Sequence, residues 1–494
     1  MSNTAWVAIL VVVLAGLTYF AWRGNRPRFL VVACHNAVWA GALILIGTNL
    51  IAYKESSAIA WLTLGSGILF FNVGAWVAKW PVRSWWPFNR LRRTKTALEP
   101  LNSGASTALF TRFSVIVACA IYAVAFGFYL VNIASRFGLV TLLTSPATIR
   151  GYRGESYLES VPFLIRVFLY LGPLLFVAFG YKASVDRPFS IWIRLAALVL
   201  LTGSMLALLQ RTNLFMAVLW LIAVLITQPS SKSETISETA TGREKRGAGR
   251  FRLLGGRGRI AIAIVAFVVV AFVAFQVIGG ALHKNGQQAL STGAVSAPLE
   301  SSGLTSPFTY YTAGTVAFLQ LVDSPNYDWP PPRAQGSMVI GNYNPQTWGA
   351  STFGPILKAI PGASALNTIQ PFIDTAVLTN VYTWLEPYYR DFRTPGVILA
   401  MFLMGLLVAR MYSRRFESAR LFWMQSAFIS TIFLATFLTK INNTLFLSEL
   451  IFVFFLAFVR PGNHLSERWG RRRTDNKASR DVVASSQPSK GTDD

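Results

Sequence analysis

A chain of 494 residues that is 53% hydrophobic and 14% aromatic carries only 13% charged residues, about half of the roughly 25% usual in soluble globular proteins. That deficit excludes an ordinary water-soluble domain and makes lipid the expected main solvent. The formal net charge of +24 suggests nucleic acid if it is gathered in one patch, so its distribution decides the matter.

A spanning helix needs about 20 mostly apolar residues. Eleven stretches qualify, near 5–22, 29–52, 59–79, 113–133, 161–181, 189–209, 213–228, 260–282, 396–412, 421–439 and 445–459. The expected fold is therefore an all-α polytopic membrane protein of about 11 transmembrane helices. No small-residue cleavage site follows the first stretch, so it is expected to remain a span. Gly172-Pro173 predicts a kink in the fifth. The chain divides into helices one to eight (1–282), a loop of roughly 110 residues (283–395), helices nine to eleven (396–460) and a tail (461–494). Within 1–282, residues 229–258 are Ser-, Thr-, Gly- and Arg-rich. That linker and the tail are polar enough to be expected as disordered basic segments. Inside the large loop, 308–322 and 376–390 have apolar faces. They are expected as helical pieces that lie on the membrane surface or pack back on the bundle.

Alternate connections (23–28, 79–112, 182–194, 228–259, 410–420 and 460–494) hold 33 of the 45 Lys and Arg and 11 of the 21 acids. The positive-inside rule makes that side cytoplasmic. The expected topology is a multi-pass protein of the cytoplasmic (inner) membrane with its N-terminus outside and its C-terminus inside. Charge spread over six loops removes the case for nucleic acid. The loops 134–160 and 283–395 then lie outside, where long loops on a rigid scaffold often carry function.

Cations are scarce on that outer side. Arg150 and Arg153 occur in ATIRGYRGE, Arg211 in the tight QRTN turn, Arg390 and Arg393 in YYRDFRTPG, and Lys440 at the tenth helix end. Guanidinium groups grip phosphate with two parallel hydrogen bonds. A set of them at the membrane surface suits a lipid-linked diphosphate, with snorkelling to headgroups as the competing reading. Glu386 and Asp391 lie among Tyr382, Trp384, Tyr388 and Tyr389. A carboxylate so placed is a candidate general base. Asp391 can equally serve as a cap or ion-pair partner, and the aromatics as an interfacial belt. Cys34 and Cys119 sit in apolar runs, and His35, His283 and His464 are scattered. No disulfide framework, metal cluster or cofactor is expected. Walker A, Rossmann and HExxH patterns are absent.

Three stretches together resemble the oligosaccharide repeat-unit polymerase (Wzy-type, O-antigen polymerase) family. They are LQRTNLF (209–215), YYTAGTVAFLQ (310–320) with STFGPILKAIPG (351–362), and NVYTWLEPYYRDFRTPGVILAMFLMGLLVAR (380–410). One departure stands out: the family commonly has Asp-Phe-Gly where this chain has Asp391-Phe392-Arg393. The resemblance implies a GT-C-like glycosyltransferase. It would transfer a growing glycan from a polyprenyl diphosphate to an incoming lipid-linked repeat unit, outside the cytoplasmic membrane. It implies a lipid-linked oligosaccharide donor and acceptor, and a chain-length regulator and a flippase as partners. Arg211, Arg150, Arg153 and Arg390 would hold the diphosphate, Asp391 or Glu386 would be the base, and Tyr382, Thr383, Trp348 and Phe353 would line the sugar pocket. The related O-antigen ligase is the nearest alternative; it leans on a loop histidine, for which only His283 is at hand. A lipid-linked oligosaccharide flippase is the alternative of another class.

Overall fold

A computed structural model describes residues 1–24, 26–78, 109–144, 161–208, 211–228, 294–324, 349, 351–357, 373–415, 418–438, 441 and 443–456. The first helices are α1 (Asn3–Gly24), α2 (Arg26–Gly47), α3 (Ala58–Val77) and α4 (Arg112–Phe137). The short α5 (Leu139–Thr144) follows, then α6 (Phe163–Leu169), α7 (Leu171–Gly180), α8 (Ile191–Ala207) and α9 (Arg211–Thr227). Beyond them come α10 (Ala297–Ser301), α11 (Thr305–Asp323), α12 (Gly354–Leu357), α13 (Glu386–Ser413), α14 (Ala419–Ile432) and α15 (Thr444–Leu456). A two-residue hairpin, β1 (Ile373–Asp374) with β2 (Leu378–Thr379), is antiparallel with Ile373 opposite Thr379. The chain is largely helical, and α1, α2, α3, α4 and α13 are long and apolar enough to cross a membrane. The expected span at 260–282 and the segments 229–258 and 461–494 lie outside the described residues.

Three elements differ from the sequence reading. The fifth stretch is two helices, α6 and α7, broken at Tyr170, three residues before Pro173. Proline lacks the N–H that would reach the carbonyl four residues back and its ring crowds that carbonyl, so the break falls a turn early. The tenth stretch stops at Ile432 and continues to Phe437 as i→i+3 turns. Ser430 and Thr431 donate their hydroxyls to the Ala427 and Phe428 carbonyls, a back-bonding that loosens helices. Residues 376–385 are not helical either. Asp374 and Thr379 accept the Ala376 and Val381 amides, Thr375 donates to the Val377 carbonyl, and Thr383 accepts the Leu385 amide. Side chains that take the local backbone groups leave no helical ladder to form. The piece expected at 308–322 is α11, and it packs into the bundle: Tyr311 donates to the Val38 carbonyl of α2 at 2.8 Å.

The loops gather at two ends. At one, the Asn3 side chain accepts from the Trp61 indole and donates to the Lys54 carbonyl. Ile51 bridges to Val295, Ser57 donates to Asp323, and Lys54 pairs with Asp374. Burial works to raise the Asp374 carboxyl, but Lys54 and the Ala376 amide outweigh it and hold it below the ordinary range. At the other end Phe110 bridges to Val185, Asp186 accepts the Arg112 amide, and Arg415 reaches the Thr227 carbonyl.

The tightest contact is between α3 and α13. A Cβ on Gly74 would lie 2.0 Å from the Phe402 carbonyl oxygen, and one on Gly405 would lie 2.0 Å from that of Phe71. Each glycine receives the other helix's backbone, the small-residue packing that draws helices together where lipid gives no hydrophobic drive. Gly74→Ala and Gly405→Ala are each expected to cost about 3 kcal/mol. Gly16→Ala and Gly203→Ala, where a Cβ meets nothing within 4 Å, should be neutral or slightly stabilising. Thermal unfolding of the solubilised protein, followed by size-exclusion, separates the pairs; equal losses at all four sites would contradict the crossing.

Candidate functional site

The α3–α13 crossing carries the start of α13 to the end of the bundle where α11 and the 373–385 segment meet. Residues 382–386 are buried there although 380–383 have no regular structure. Non-helical backbone is tolerated at membrane depth only where protein encloses it, and here it has partners. The Trp384 amide donates to the Ala435 carbonyl at 2.9 Å, so the unwound segment before α13 lies against the unwound end of α14. The Trp384 indole sits 5.7 Å from the Phe71 ring and 5.9 Å from His35.

Below it lies a polar network inside apolar helices. Asn36 donates to Thr18 at 2.9 Å, Asn72 donates to Asn36 Oδ1 at 3.0 Å, and His35 Nδ1 lies 3.0 Å from that oxygen. A carbonyl oxygen only accepts, so His35 Nδ1 carries the proton. The His35 ring stacks on Phe71 at 3.9 Å. The network fixes the floor on which Trp384 rests.

Glu386 opens α13, where the helix dipole favours a carboxylate. It is 3% exposed and accepts from Arg390 Nε, one turn on. The Arg390 guanidinium lies over the Tyr382 ring, 5.2 Å from its centroid. Tyr382, Glu386 and Arg390 thus form one contact set, with the buried Thr383 beside it.

Asp391 does other work. Its two oxygens accept the Ser351 and Thr352 amides at 3.2 and 2.6 Å. The 349–353 turn, which uses Gly349 at φ +76°, is thereby pinned to α13. Phe353 sits in that turn, half exposed. Of the two carboxylates read from the sequence, Glu386 faces the buried set and Asp391 holds a loop.

Arg393 occupies φ +56°, ψ −154° inside α13, two residues before Pro395. Only glycine reaches that region without strain. Arginine therefore occupies a glycine-like backbone conformation at this position. The Arg393 guanidinium lies 5.5 Å from the Tyr389 ring centroid.

Arg211 is the first residue of α9, and its side chain lies outside the described ones. Arg150, Arg153, Trp348, Lys440 and His283 lie outside the described residues altogether. Among the described residues no group of His, Cys, Asp or Glu is placed to hold a metal ion. Sequence reasoning passed over the polar residues within apolar runs: His35 and Asn36, Asn72, Asn213 and Gln425, all buried. Their signal was present, since a polar side chain inside a span marks a functional or packing site.

No protein-family model, characterised protein or solved structure matches the chain.

Arg393→Ala and Arg393→Gly remove the same side-chain contacts, but only glycine relieves the backbone. The glycine variant should be more stable than the alanine variant by about 1–2 kcal/mol. Denaturation of both proteins checks this, and a less stable glycine variant would contradict the strained turn.

Proposed function

We propose that this chain is a glycosyltransferase that polymerises polyprenyl-diphosphate-linked oligosaccharide repeat units on the outer face of the cytoplasmic membrane. The observation that carries the reading is the Tyr382–Glu386–Arg390 set. The stretch that resembles the polymerase family is the one that leaves regular helix, enters the protein interior and brings a carboxylate, a guanidinium and an aromatic ring together.

The chemistry needs a bound leaving group and an activated hydroxyl. Arg211 at the start of α9, with Arg150 and Arg153, holds the donor diphosphate, which leaves readily once its charge is matched. Arg390 is held by Glu386 in the resting protein. A diphosphate that competes for Arg390 loosens the Glu386–Arg390 pair and turns the Glu386 carboxylate toward the acceptor. The acceptor hydroxyl then gives its proton to Glu386 as its oxygen bonds to the donor's anomeric carbon, and the bond from that carbon to the diphosphate oxygen breaks. Tyr382, Thr383, Phe353 and Trp348 take the sugars. The N-terminus lies outside and the C-terminus in the cytoplasm. A flippase supplies the repeat units, and a chain-length regulator works alongside.

In cells lacking the gene, wild type is expected to restore a long glycan ladder. Arg211→Ala should insert normally and leave single repeat units on the outer face, and Arg211→Lys should restore a small part of the ladder, having charge without the fork. Glu386→Gln should slow chain growth by about 100-fold, the scale of general-base catalysis. Full ladders from Arg211→Ala would sink the assignment. Long chains accumulating on the lipid carrier in the deletion strain would mean a ligase, and repeats trapped on the cytoplasmic face a flippase.

A further inference from the structure

Hydroxyls buried in a membrane bundle usually satisfy themselves on their own helix. Along α11, Thr309 and Thr312 do so, each donating at 2.7 Å to the carbonyl one turn earlier. Thr315, the next threonine in the same three-residue rhythm, does not. Its Oγ1 is buried and takes no hydrogen bond among the described residues. The same holds for Thr436 Oγ1 and for both polar atoms of the Asn213 amide. All three residues are at most 1% exposed. An unpaired buried polar group costs stability that an apolar residue of the same size would keep.

The elements that carry these residues adjoin one another. Gly314, beside Thr315, packs on the unwound end of α14: a Cβ there would lie 2.5 Å from the Thr436 carbonyl oxygen. The Phe437 ring, next along, is 6.0 Å from Phe215 and 6.3 Å from Tyr311. Phe215 is two residues from Asn213, and Tyr311 is one turn from Thr315. Arg211 opens the helix that carries Asn213, and the neighbouring Ala435 carbonyl holds the Trp384 amide. The three residues therefore lie on adjoining elements, between the arginine turn and the buried 382–386 segment.

Their chemistry selects a ligand. An amide and two hydroxyls offer donors and acceptors in similar number and carry no charge. A phosphate wants cations, and an acyl chain wants no polar atoms at all. Neutral donors and acceptors beside aromatic rings complement the hydroxyls and C–H faces of a sugar.

We propose that Asn213, Thr315 and Thr436 form a subsite for an uncharged glycosyl unit of the lipid-linked substrate. This rests on the polymerase reading and adds a sugar site on the α9–α11–α14 side of Trp384.

The test uses full-length protein in lipid nanodiscs and two probes. One is the lipid-linked glycan fraction extracted from source cells lacking the gene; the other is polyprenyl diphosphate bearing no sugar. Thr315→Val, Thr436→Val and Asn213→Leu are made singly and together, with Thr315→Ser and Thr436→Ser as variants that keep the hydroxyl. Wild type should bind the glycan-bearing lipid at least about tenfold tighter than the bare diphosphate, and each Val variant should lose about fivefold of that preference. The combined variant should bind both probes alike, at a melting temperature no lower than wild type. If the combined variant does not fold, the single Val and Ser pairs decide: preference lost with Val and kept with Ser supports the subsite. Arg211→Ala should weaken both probes equally. A combined variant, or Val singles, that keep the wild-type preference overturn the subsite, which then holds ordered water only, and leave the polymerase reading standing. A wild type without any preference overturns both.

Discussion

The backbone contact between α3 and α13 at Gly74 and Gly405 is the constraint from which the rest follows. Two carbonyl oxygens, of Phe402 and Phe71, occupy the space that a Cβ would need on the opposite helix. Helices that approach so closely cannot slide or rotate without a clash. The start of α13 is therefore fixed relative to α3, and with it Glu386, Arg390 and Asp391. Thr63 and Thr394, 3.1 Å apart through their hydroxyls, continue the seam toward the same end. Phe71 belongs both to the crossing and to the stack that carries His35 and Trp384, so packing at the seam and the placement of the unwound segment are one arrangement.

That arrangement explains how irregular backbone survives in a bundle of apolar helices. The 380–385 segment and the 433–437 turns satisfy part of each other's hydrogen bonding, through the Trp384 amide and the Ala435 carbonyl. Side chains of Thr379 and Thr383 take further amides. Discontinuous elements of this kind are where membrane proteins gather substrate groups, because unwound backbone and polar side chains face inward together. The buried Glu386–Arg390 pair has the same logic. Two charges removed from water are tolerated as a pair and are costly apart, which is why Glu386 and Arg390 are buried together.

Much of the helical plan was legible because a span's signature is composition over about 20 residues, which single side chains barely disturb. The helix that Arg211 opens could be read that way, and the helix at 308–322 could be read from its apolar face. The 376–385 stretch could not. Its apolar residues have a helical spacing, but Asp374, Thr375, Thr379 and Thr383 capture the backbone groups a helix needs, and that competition is decided by local geometry. The site was half legible for a similar reason. The contact of Glu386 with Arg390 follows from their separation by one turn of α13, whereas Tyr382 reaches Arg390 from irregular backbone. The duty of Asp391 does not follow from spacing, since its partners are amides some forty residues earlier in the chain. The departure at Arg393 was visible as a residue, but its backbone conformation became visible only in three dimensions. Thr315 looks no different in sequence from Thr309 and Thr312; only the fold leaves its hydroxyl without a carbonyl.

The proposed polymerase needs no other protein to lengthen a lipid-linked glycan. The most direct measurement places the purified protein in vesicles with lipid-linked repeat units and no other protein, and resolves the products by size. The expected product is a ladder of multiples of one repeat unit, still attached to lipid, with one polyprenyl diphosphate released for each unit added. Repeat units that cross the bilayer unchanged, or that remain single while the protein is folded and bound to them, would contradict it.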